Sequence, residues 1–479
     1  MKAAVRESMG FYLATLNPEA SPQEDRLGVL TSNSDKHSDH SLRNLCRNKN
    51  ISVIDLFAGA GGLSEGFRQA GCNIVCGTDS DPDALSTYCH NFPRARTICG
   101  DIRNHEVRES LIDYGKTANI VVGGPPCQAF SQVRNHERII DDPRNSLYRE
   151  FVNILSRLTP EAFVMENVTG IDQMNVREQI SKDLALDGNY LVLPQVLDSS
   201  DFGVPQSRKR LIFVGVRSDL QIAPPVIESQ NISSAISLSR SHVRGRPTYH
   251  IDSPLSLFSE SHLQALNDPN DLSFVTASQA LSDLEILQAG NRRDSISYAE
   301  LPAPSSAYQR LMRMDDCAEV KNLSVPRINQ DTALRLENIP SGGNYRDLPI
   351  DLTARYISGQ KWGQDNGSGK LSRKHFYAYR RLHPLIWAWT LNTKADSVYH
   401  YKHPRALSVR EFARLQSFPD NFVFTTDKRK GFLPGRHDGG AAHSKYRQVG
   451  NAVPPLMARA IALRLLVAIS SRSDLPVAA

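Results

Sequence analysis

Two polar segments that follow apolar runs carry side chains able to do covalent chemistry. Cys127 comes after ANIVVGG and two prolines, which stiffen the loop that holds it, and Glu166 lies near the end of AFVMENV. A thiolate can attack an electron-poor carbon while a carboxyl group supplies a proton to the attacked molecule. A lone cysteine is often a buried spectator, but open parallel sheets bind ligands at the edge where these segments would lie. The pair therefore predicts nucleophilic catalysis.

Arginines follow in the segment QSRKR, where a further strand is predicted to begin. Gln206, Arg208 and Arg210 occupy alternate positions, so a strand would place all three on one face. A guanidinium there can donate to a carbonyl oxygen and stabilise negative charge that develops during addition. We expect Arg210 in that role first and Arg208 second. A salt bridge that supports the strand of Glu166 is the alternative for both.

A glycine-rich turn and two acidic residues predict a nucleoside pocket. ISVIDLFAGAGG indicates a strand, a tight turn and then a helix near Leu63, and glycines let the backbone approach a ligand. Asp79 closes the second strand, where it can accept from ribose hydroxyls, and Asp101 closes the third, within reach of an adenine amino group. The alternatives are a dinucleotide-binding turn or a plain strand-helix connection, and a helix cap for either aspartate.

The elements that must position these residues follow from the apolar pattern. Short apolar runs alternate with helix-length stretches between residue 51 and about residue 217, which predicts a parallel sheet with helical crossovers. The rhythm then breaks, and helical spacing returns in VPPLMARAIALRLLVAIS, which we expect to pack on the first domain. We divide the chain into a polar N-terminal tail, a catalytic and cofactor-binding domain, an inserted domain and a return to the catalytic domain: 1–50, 51–225, 226–400 and 401–479.

The composition is typical of a globular protein in a reducing compartment. The 479 residues carry a formal net charge of +5, which fits a nucleic-acid partner without requiring one. The seven cysteines have neither the spacing of a zinc site nor the density of a disulfide scaffold, so we expect no metal. We find neither a signal peptide nor a run of about 18 apolar residues, and we expect a cytoplasmic, nucleoid-associated protein.

Eight motifs in order resemble the DNA (cytosine-5-)-methyltransferase family of the bacterial restriction-modification type. They are DLFAGAGG, GTDSD, GDI, PPCQAFS, MENV, QSRKR, REFARLQSFPD and QVGNAVPP. The resemblance implies an α/β fold: a Rossmann-like S-adenosylmethionine-dependent methyltransferase sheet with an inserted smaller target-recognition domain. It also implies methyl transfer from S-adenosyl-L-methionine to carbon 5 of a flipped cytosine within a specific double-stranded DNA sequence.

The resemblance also implies roles for individual residues. Cys127 would add to carbon 6 of cytosine, Glu166 would contact ring nitrogen 3, and Asn167 would hold the catalytic loop. Ser80 departs from the family pattern, because many relatives place a larger apolar residue there against the adenine. The positions that match the family's cofactor site are Phe57, Ala58, Gly59, Gly61, Asp79, Ser80, Asp101, Ile102, Pro126 and Asn451.

The later part of the inserted region is basic and interleaved with aromatic residues, which favours contact with phosphates and bases. A solvated basic face is the alternative for any single lysine. We expect a monomer that binds double-stranded DNA, away from any membrane, with a cognate restriction endonuclease acting separately. The residues of this stretch are Arg355, Lys361, Trp362, Lys370, Arg373, Lys374, Phe376, Tyr377, Tyr379, Arg380 and Arg381.

Three other functions fit parts of the sequence. A transfer-RNA cytosine methyltransferase shares the core, but that branch usually carries a Cys-Phe-Thr tripeptide, which is missing from this sequence. A silent DNA-binding regulator would have no need of Cys127, Glu166 and Arg210 together. A nicotinamide or flavin enzyme would account for the glycine turn and would leave PPCQ, MENV and QSRKR unexplained.

Overall fold

The structure is a computed structural model that describes residues 50–126, 146–170, 176–228, 269–313, 317–353, 379–427 and 440–470. The predicted N-terminal tail, apart from Asn50, lies outside these residues. The candidate nucleophile Cys127 lies outside them as well, one residue past the described Pro126.

A seven-stranded sheet lies at the centre of the chain, in the order β3-β2-β1-β4-β5-β7-β6. The pairs among β1 to β5 are parallel, as the alternating pattern predicted, whereas β7 runs antiparallel to both of its neighbours. The chain order reverses between β1 and β4, so the crevice beyond their carboxyl ends is a natural ligand site. The strands are β1 (Ser52–Leu56), β2 (Asn73–Asp79), β3 (Arg96–Cys99), β4 (Ile120–Gly123), β5 (Ala162–Val168), β6 (Tyr190–Asp198) and β7 (Lys209–Arg217).

Helices cover the sheet because their apolar residues recur at helical spacing. In Ser146–Leu158 the buried side chains are Tyr148, Phe151, Ile154, Leu155 and Leu158, which form one stripe toward the core. The helices that accompany the sheet before the inserted region are α1 (Gly62–Gln69), α2 (Pro82–Asn91), α3 (His105–Gly115), α4 (Ser146–Leu158) and α5 (Arg177–Leu184).

The region after β7 contains short elements and several packed clusters. Val275, Leu281 and Tyr308 belong to the same buried core as the sheet, whereas side chains around Leu284 and around Tyr345 form two smaller clusters. The domain boundaries at 226 and 400 stay a prediction. The elements in the described parts of this region include α6 (Ala277–Leu281), β8 (Ser295–Ser297), α7 (Ala307–Met312), β9 (Glu319–Lys321), α8 (Gln330–Glu337) and α9 (Ile350–Thr353).

Within residues 401–427 and 440–470, three helices follow this region and return to the sheet: α10 (Val409–Leu415), α11 (Gly440–Asn451) and α12 (Pro455–Ser470). The structure packs α12 on α1, as its apolar spacing predicted. Gly66 permits the contact, since a Cβ there would lie 2.4 Å from the Cβ of Ala458. The return of the chain to the first part of the sheet is therefore built on a close helix-helix approach.

The stretch His443–Ser470 has the length and apolar composition of a helix that could cross a membrane. It comprises most of α11 and the whole of α12. In its most apolar 18-residue segment, 67% is buried inside the protein. Arg459 and Arg464 interrupt the apolar residues. Such burial is typical of a core helix.

Buried ion pairs hold α10 in place, and one of them attaches it to the inserted region. The fully buried Arg414 donates to Asp283 at 2.5 Å and to Asp420 at 2.6 Å. Arg405 pairs with Glu411 at 2.9 Å, also out of contact with water. Removing one partner from such a pair leaves an uncompensated buried charge, so these contacts hold the connecting segments in one arrangement.

Candidate active site

A cavity of about 640 Å³ opens beyond the carboxyl ends of β1, β2, β4 and β5, at the reversal in strand order. It contains thirteen of the predicted site residues; Gly61 lies behind the wall and Cys127 is outside the described residues. Strands that end side by side have therefore brought together residues from distant parts of the sequence. The predicted residues that line it are Phe57, Ala58, Gly59, Asp79, Ser80, Asp101, Ile102, Pro126, Glu166, Asn167, Arg208, Arg210 and Asn451.

The glycine turn after β1 is fastened to the end of β2. The Gly59 N–H donates to the Asp79 carboxylate at 2.8 Å, and the Ala58 N–H donates to the Thr78 carbonyl at 2.9 Å. Gly61 has a φ of 98°, and a Cβ there would lie 2.5 Å from the ring of Phe92, so this glycine shapes the turn without facing the cavity.

Backbone N–H groups bind the Asp79 carboxylate in the cavity wall, and Asp79 does not cap a helix. Its carboxylate also accepts from the Asp81 N–H at 2.8 Å, and burial raises its pKa. Asp81 is the residue that caps α2, by accepting from the Asp83 N–H at 3.0 Å. The helix-cap alternative is therefore wrong for Asp79.

Asp101 lies two residues beyond the end of β3, not within the strand. Arg103 donates to both of its carboxylate oxygens, and this ion pair lowers the pKa of Asp101. The cap of α3 is Asn104, which accepts from the Glu106 N–H at 2.9 Å, so Asp101 does not cap that helix either. Arg103 itself lines the cavity beside Asp101.

Glu166 and Arg210 form an ion pair in the cavity wall, with 2.5 Å between Glu166 Oε1 and Arg210 Nε. Their strands, β5 and β7, are neighbours in the sheet, so the pair spans an antiparallel ladder. Gly124 gives the carboxylate room, since a Cβ at that position would lie 2.9 Å from Glu166 Oε2. The salt bridge considered as an alternative for both arginines is thus present at Arg210.

Arg208 lines the same cavity but is only 4% exposed. One of its terminal nitrogens donates to the Leu391 carbonyl at 3.3 Å, and its Nε has no hydrogen-bond partner within the described parts of the chain. Burial holds the pKa of this guanidinium well below its ordinary value.

The prediction that Gln206 shares a face with the two arginines was wrong. β7 begins only at Lys209, so the alternation of a strand does not extend back to residue 206. Gln206 is fully buried outside the cavity, where its amide contacts Gln416 and accepts from the Leu391 N–H at 2.9 Å.

Asn167 fastens the loop that leads to the candidate nucleophile. Its side-chain amide donates to the Pro125 carbonyl at 3.3 Å and accepts from the Val168 N–H at 2.8 Å. Pro126 follows on the cavity wall. The contact agrees with the expected role of Asn167 as the residue that holds this loop.

Sequence reasoning missed Asp55, which lies within β1 and lines the cavity. One carboxylate oxygen accepts from the Ser64 hydroxyl at 2.7 Å, and the other has no partner among the described residues. Burial raises the pKa of Asp55 to about 7. An acid between apolar neighbours in VIDLF was the signal that could have identified it.

Two arginines of the predicted DNA-facing stretch have other contacts. Arg381 donates to the carbonyls of Ile339 at 2.5 Å and Leu336 at 3.0 Å, and burial lowers its pKa. Arg380 is buried, and its guanidinium lies over the ring of Trp389. Phosphate binding by these two is therefore not supported. Tyr379 is buried, and the other members of the stretch lie outside the described residues.

Comparison with known proteins identifies the family. Residues 51–466 match the family of C-5 cytosine-specific DNA methylases. The chain is 31% identical over 424 residues to the type II methyltransferase M.DdeI of Desulfomicrobium norvegicum, which covers 87% of this chain and 88% of the relative. It is also 31% identical over 474 residues to the type II methyltransferase M.AgeI of Thalassovita gelatinovora, with 88% and 100% covered.

The fold has solved counterparts. A crystal structure of a prophage-encoded E. coli protein, described as a DNA modification methyltransferase, matches with a TM-score of 0.59 and 23% identity, covering 88% of this chain and 99% of the other. This likeness concerns the fold alone. The sheet order, the cavity at its reversal and the match across residues 51–466 lead to one conclusion: the chain belongs to the C-5 cytosine-specific DNA methylase family.

Proposed function

We propose that this protein transfers a methyl group from S-adenosyl-L-methionine to carbon 5 of a cytosine rotated out of double-stranded DNA. One observation carries the proposal: the loop that leads to Cys127, the Glu166–Arg210 pair and a cavity lined by Asp55 and Asp79 meet at a single edge of the sheet. That arrangement joins a base site to a nucleoside site.

The cavity has the polar groups that S-adenosylmethionine requires. Asp79 retains acceptor capacity beside the backbone N–H groups that it binds, which suits ribose hydroxyls. The Asp55 oxygen that lacks a partner in the described parts of the chain is a buried acceptor that a cationic ligand would satisfy. Asp101 and Ile102 would face the adenine, and Phe57, Ala58 and Asn451 the methionine portion. When bound, the cofactor supplies an electrophilic methyl group.

The protein's own residues would make cytosine carbon 5 able to accept that group. The Cys127 thiolate would form a bond to carbon 6 while Glu166 shares a proton with ring nitrogen 3, which converts the ring to an enamine-like species. After methylation, loss of the proton from carbon 5 would expel the thiolate and restore the ring. Arg210, with Arg208 behind it, would donate to the ring carbonyl oxygen.

DNA recognition is assigned to the inserted region, residues 226–400. Rotating a base out of the duplex costs a few kcal/mol, which contacts to phosphates and base edges must offset. The Arg208 contact to the Leu391 carbonyl connects this region directly to the proposed base site. We propose that the base-reading residues come from this region rather than from the sheet.

The named relatives are type II methyltransferases, which supports a restriction-modification setting with a separately acting endonuclease. We propose a cytoplasmic monomer that acts on the cell's own DNA. The target sequence is a property of the inserted region.

Bisulfite sequencing of DNA from a host without cytosine-5 methylation, expressing this chain, tests the proposal. We expect protected cytosines at one short sequence, and none when Cys127→Ala is expressed at the same level. Cys89→Ala is the matched control, because Cys89 is exposed on α2, and it should protect the same sites. Absence of protected cytosines with folded, cofactor-binding protein would overturn the assignment.

A further inference from the structure

Ser80 offers little surface to the proposed adenine site. Ser80 is small and exposed, whereas the apolar Ile102 lies on the cavity wall next to Asp101. A flat purine held by polar groups at its edge also needs surface against its faces, because stacking supplies much of the attraction for an aromatic ring. Another side chain must therefore cover the purine face that lies next to Ser80.

Arg447 is placed to do so. Its guanidinium lies 2.7 Å from the carboxylate of Asp81, the residue directly after Ser80, and both residues line the cavity. The side chain keeps 42% of its surface exposed, so it is available at the cavity wall rather than sealed in the core.

The helix that carries Arg447 is rigidly attached to α2. Ser444 donates to the Asp83 carboxylate at 2.8 Å, and Thr87 donates to the Gln448 side chain at 2.6 Å. Residues 444, 447 and 448 share one face of α11, since they are three and four positions apart. This face fixes the position of Arg447 beside Asp81.

We propose that the Arg447 guanidinium forms the adenine-facing wall that Ser80 does not provide, with Asp81 holding it in the orientation needed for stacking. The inference rests on the proposed cofactor. A guanidinium is planar and stacks on aromatic faces, and an in-plane ion pair leaves its face free. Arg103 also lines the cavity, but its guanidinium is bound to Asp101, the neighbour of Ile102 in the sequence, rather than to a residue beside Ser80.

A calorimetric titration with S-adenosylhomocysteine measures the affinity of the proposed adenine site and requires no turnover. Arg447→Ala should weaken binding about 5-fold, the order expected for a stacking contact at a partly exposed site. Arg447→Lys should weaken it similarly, because an ammonium can pair with Asp81 but offers no plane. Adding Ser80→Trp to Arg447→Ala should restore most of the affinity, since the indole would cover the same purine face.

Two control variants separate a wall from general electrostatics and folding. Arg157→Ala removes an arginine that pairs with Glu109 on the surface and should leave binding unchanged. Arg103→Ala removes a positive charge from the cavity, and Ser80→Trp should not rescue it. Rescue of Arg103→Ala, or failure to rescue Arg447→Ala, would overturn the proposal. Unchanged binding by Arg447→Ala overturns it while the cofactor assignment stands, whereas no binding by the unaltered protein overturns both.

Discussion

At the scale of single residues, the cavity holds an acid that pairs with no cationic side chain among the described residues. Asp55 is 1% exposed, accepts one hydroxyl hydrogen bond and leaves its second oxygen unsatisfied within the described residues. Tyr88 bonds to the same Ser64 hydroxyl, and the nearby Asp79 further disfavours a negative charge on Asp55. Burial is the main reason that the pKa of Asp55 rises to about 7. A negative charge on Asp55 near neutral pH is therefore destabilising.

Asp55→Asn should reveal this cost as a pH dependence of stability. A carboxyl group whose folded pKa exceeds its unfolded value binds more protons when folded, so its contribution to stability falls as pH rises from about 4 to about 7. Asparagine cannot titrate and can still accept from Ser64. The unfolding free energy of the variant, relative to wild type, should rise by up to about 3 kcal/mol between pH 5 and pH 8.

Denaturant unfolding at the two pH values measures that difference. Asp113→Asn is the control, because the Asp113 side chain is exposed and paired with Lys116. The unfolding free energy of this variant, relative to wild type, should change little with pH. If Asp55→Asn and wild type respond to pH alike, the carboxyl group is not the buried, unpaired acid described above.

Residue types were the part of the site that could be predicted from the sequence, and their contacts were not. A thiol, an acid and two arginines next to strand ends indicated one reactive edge. The pairing of Arg210 with Glu166 depends on β7 lying antiparallel beside β5, which the alternating pattern does not encode. Asp55 was hidden by apolar neighbours, and Arg447 acquires its place only when α11 packs on α2.

At the scale of elements, the cofactor turn is supported by the contact between α1 and α12. A Cβ at Gly66 would lie 2.4 Å from Ala458 Cβ and 2.6 Å from a backbone oxygen of Pro455, and backbone cannot yield as a flexible side chain does. The same turn meets the loop before α12, where Gly62 approaches the Val453 carbonyl. Helix packing and cavity shape are therefore coupled.

Gly66→Ala should force α1 and α12 apart and destabilise the protein by about 1 to 3 kcal/mol, although alanine favours helix formation. Thermal unfolding measures the loss. Gly170→Ala is the control, since no atom of the described residues lies within 4 Å of a Cβ there, and it should change the midpoint little. Equal behaviour of the two variants would show that the helices do not touch as closely as described.

The apolar runs predicted where strands of the sheet lie along the chain, but they did not predict the direction in which each strand runs. β6 and β7 read like the earlier strands, with Leu191 to Leu197 and Leu211 to Val216 rich in branched side chains, yet the connection between them carries no helix long enough for a parallel crossover. The short 3₁₀ turn Ser199–Phe202 was the available signal for an antiparallel return.

At the scale of the whole molecule, the inserted region is attached to the rest by buried charges. Arg414 lies between Asp283 of that region and Asp420, and Arg313 also reaches Asp283. A pattern of apolar residues cannot predict such pairs, because a charged residue in a helix normally indicates the solvent side. The loss of alternating apolar runs and helix-length stretches after Arg217 did indicate where the regular sheet ends.

The proposed chemistry requires a sulfur and a carboxyl group to act on one extruded cytosine, and a covalent trap detects that step. A duplex with 5-fluorocytosine at the methylated position, incubated with the protein and S-adenosylmethionine, should give a complex that survives denaturation, because fluorine blocks the loss of a proton from carbon 5. Mass spectrometry should place the adduct on Cys127, and Cys127→Ala should give none. An adduct that persists in Cys127→Ala, or no adduct with active wild-type protein, would show that Cys127 is not the nucleophile that adds to cytosine.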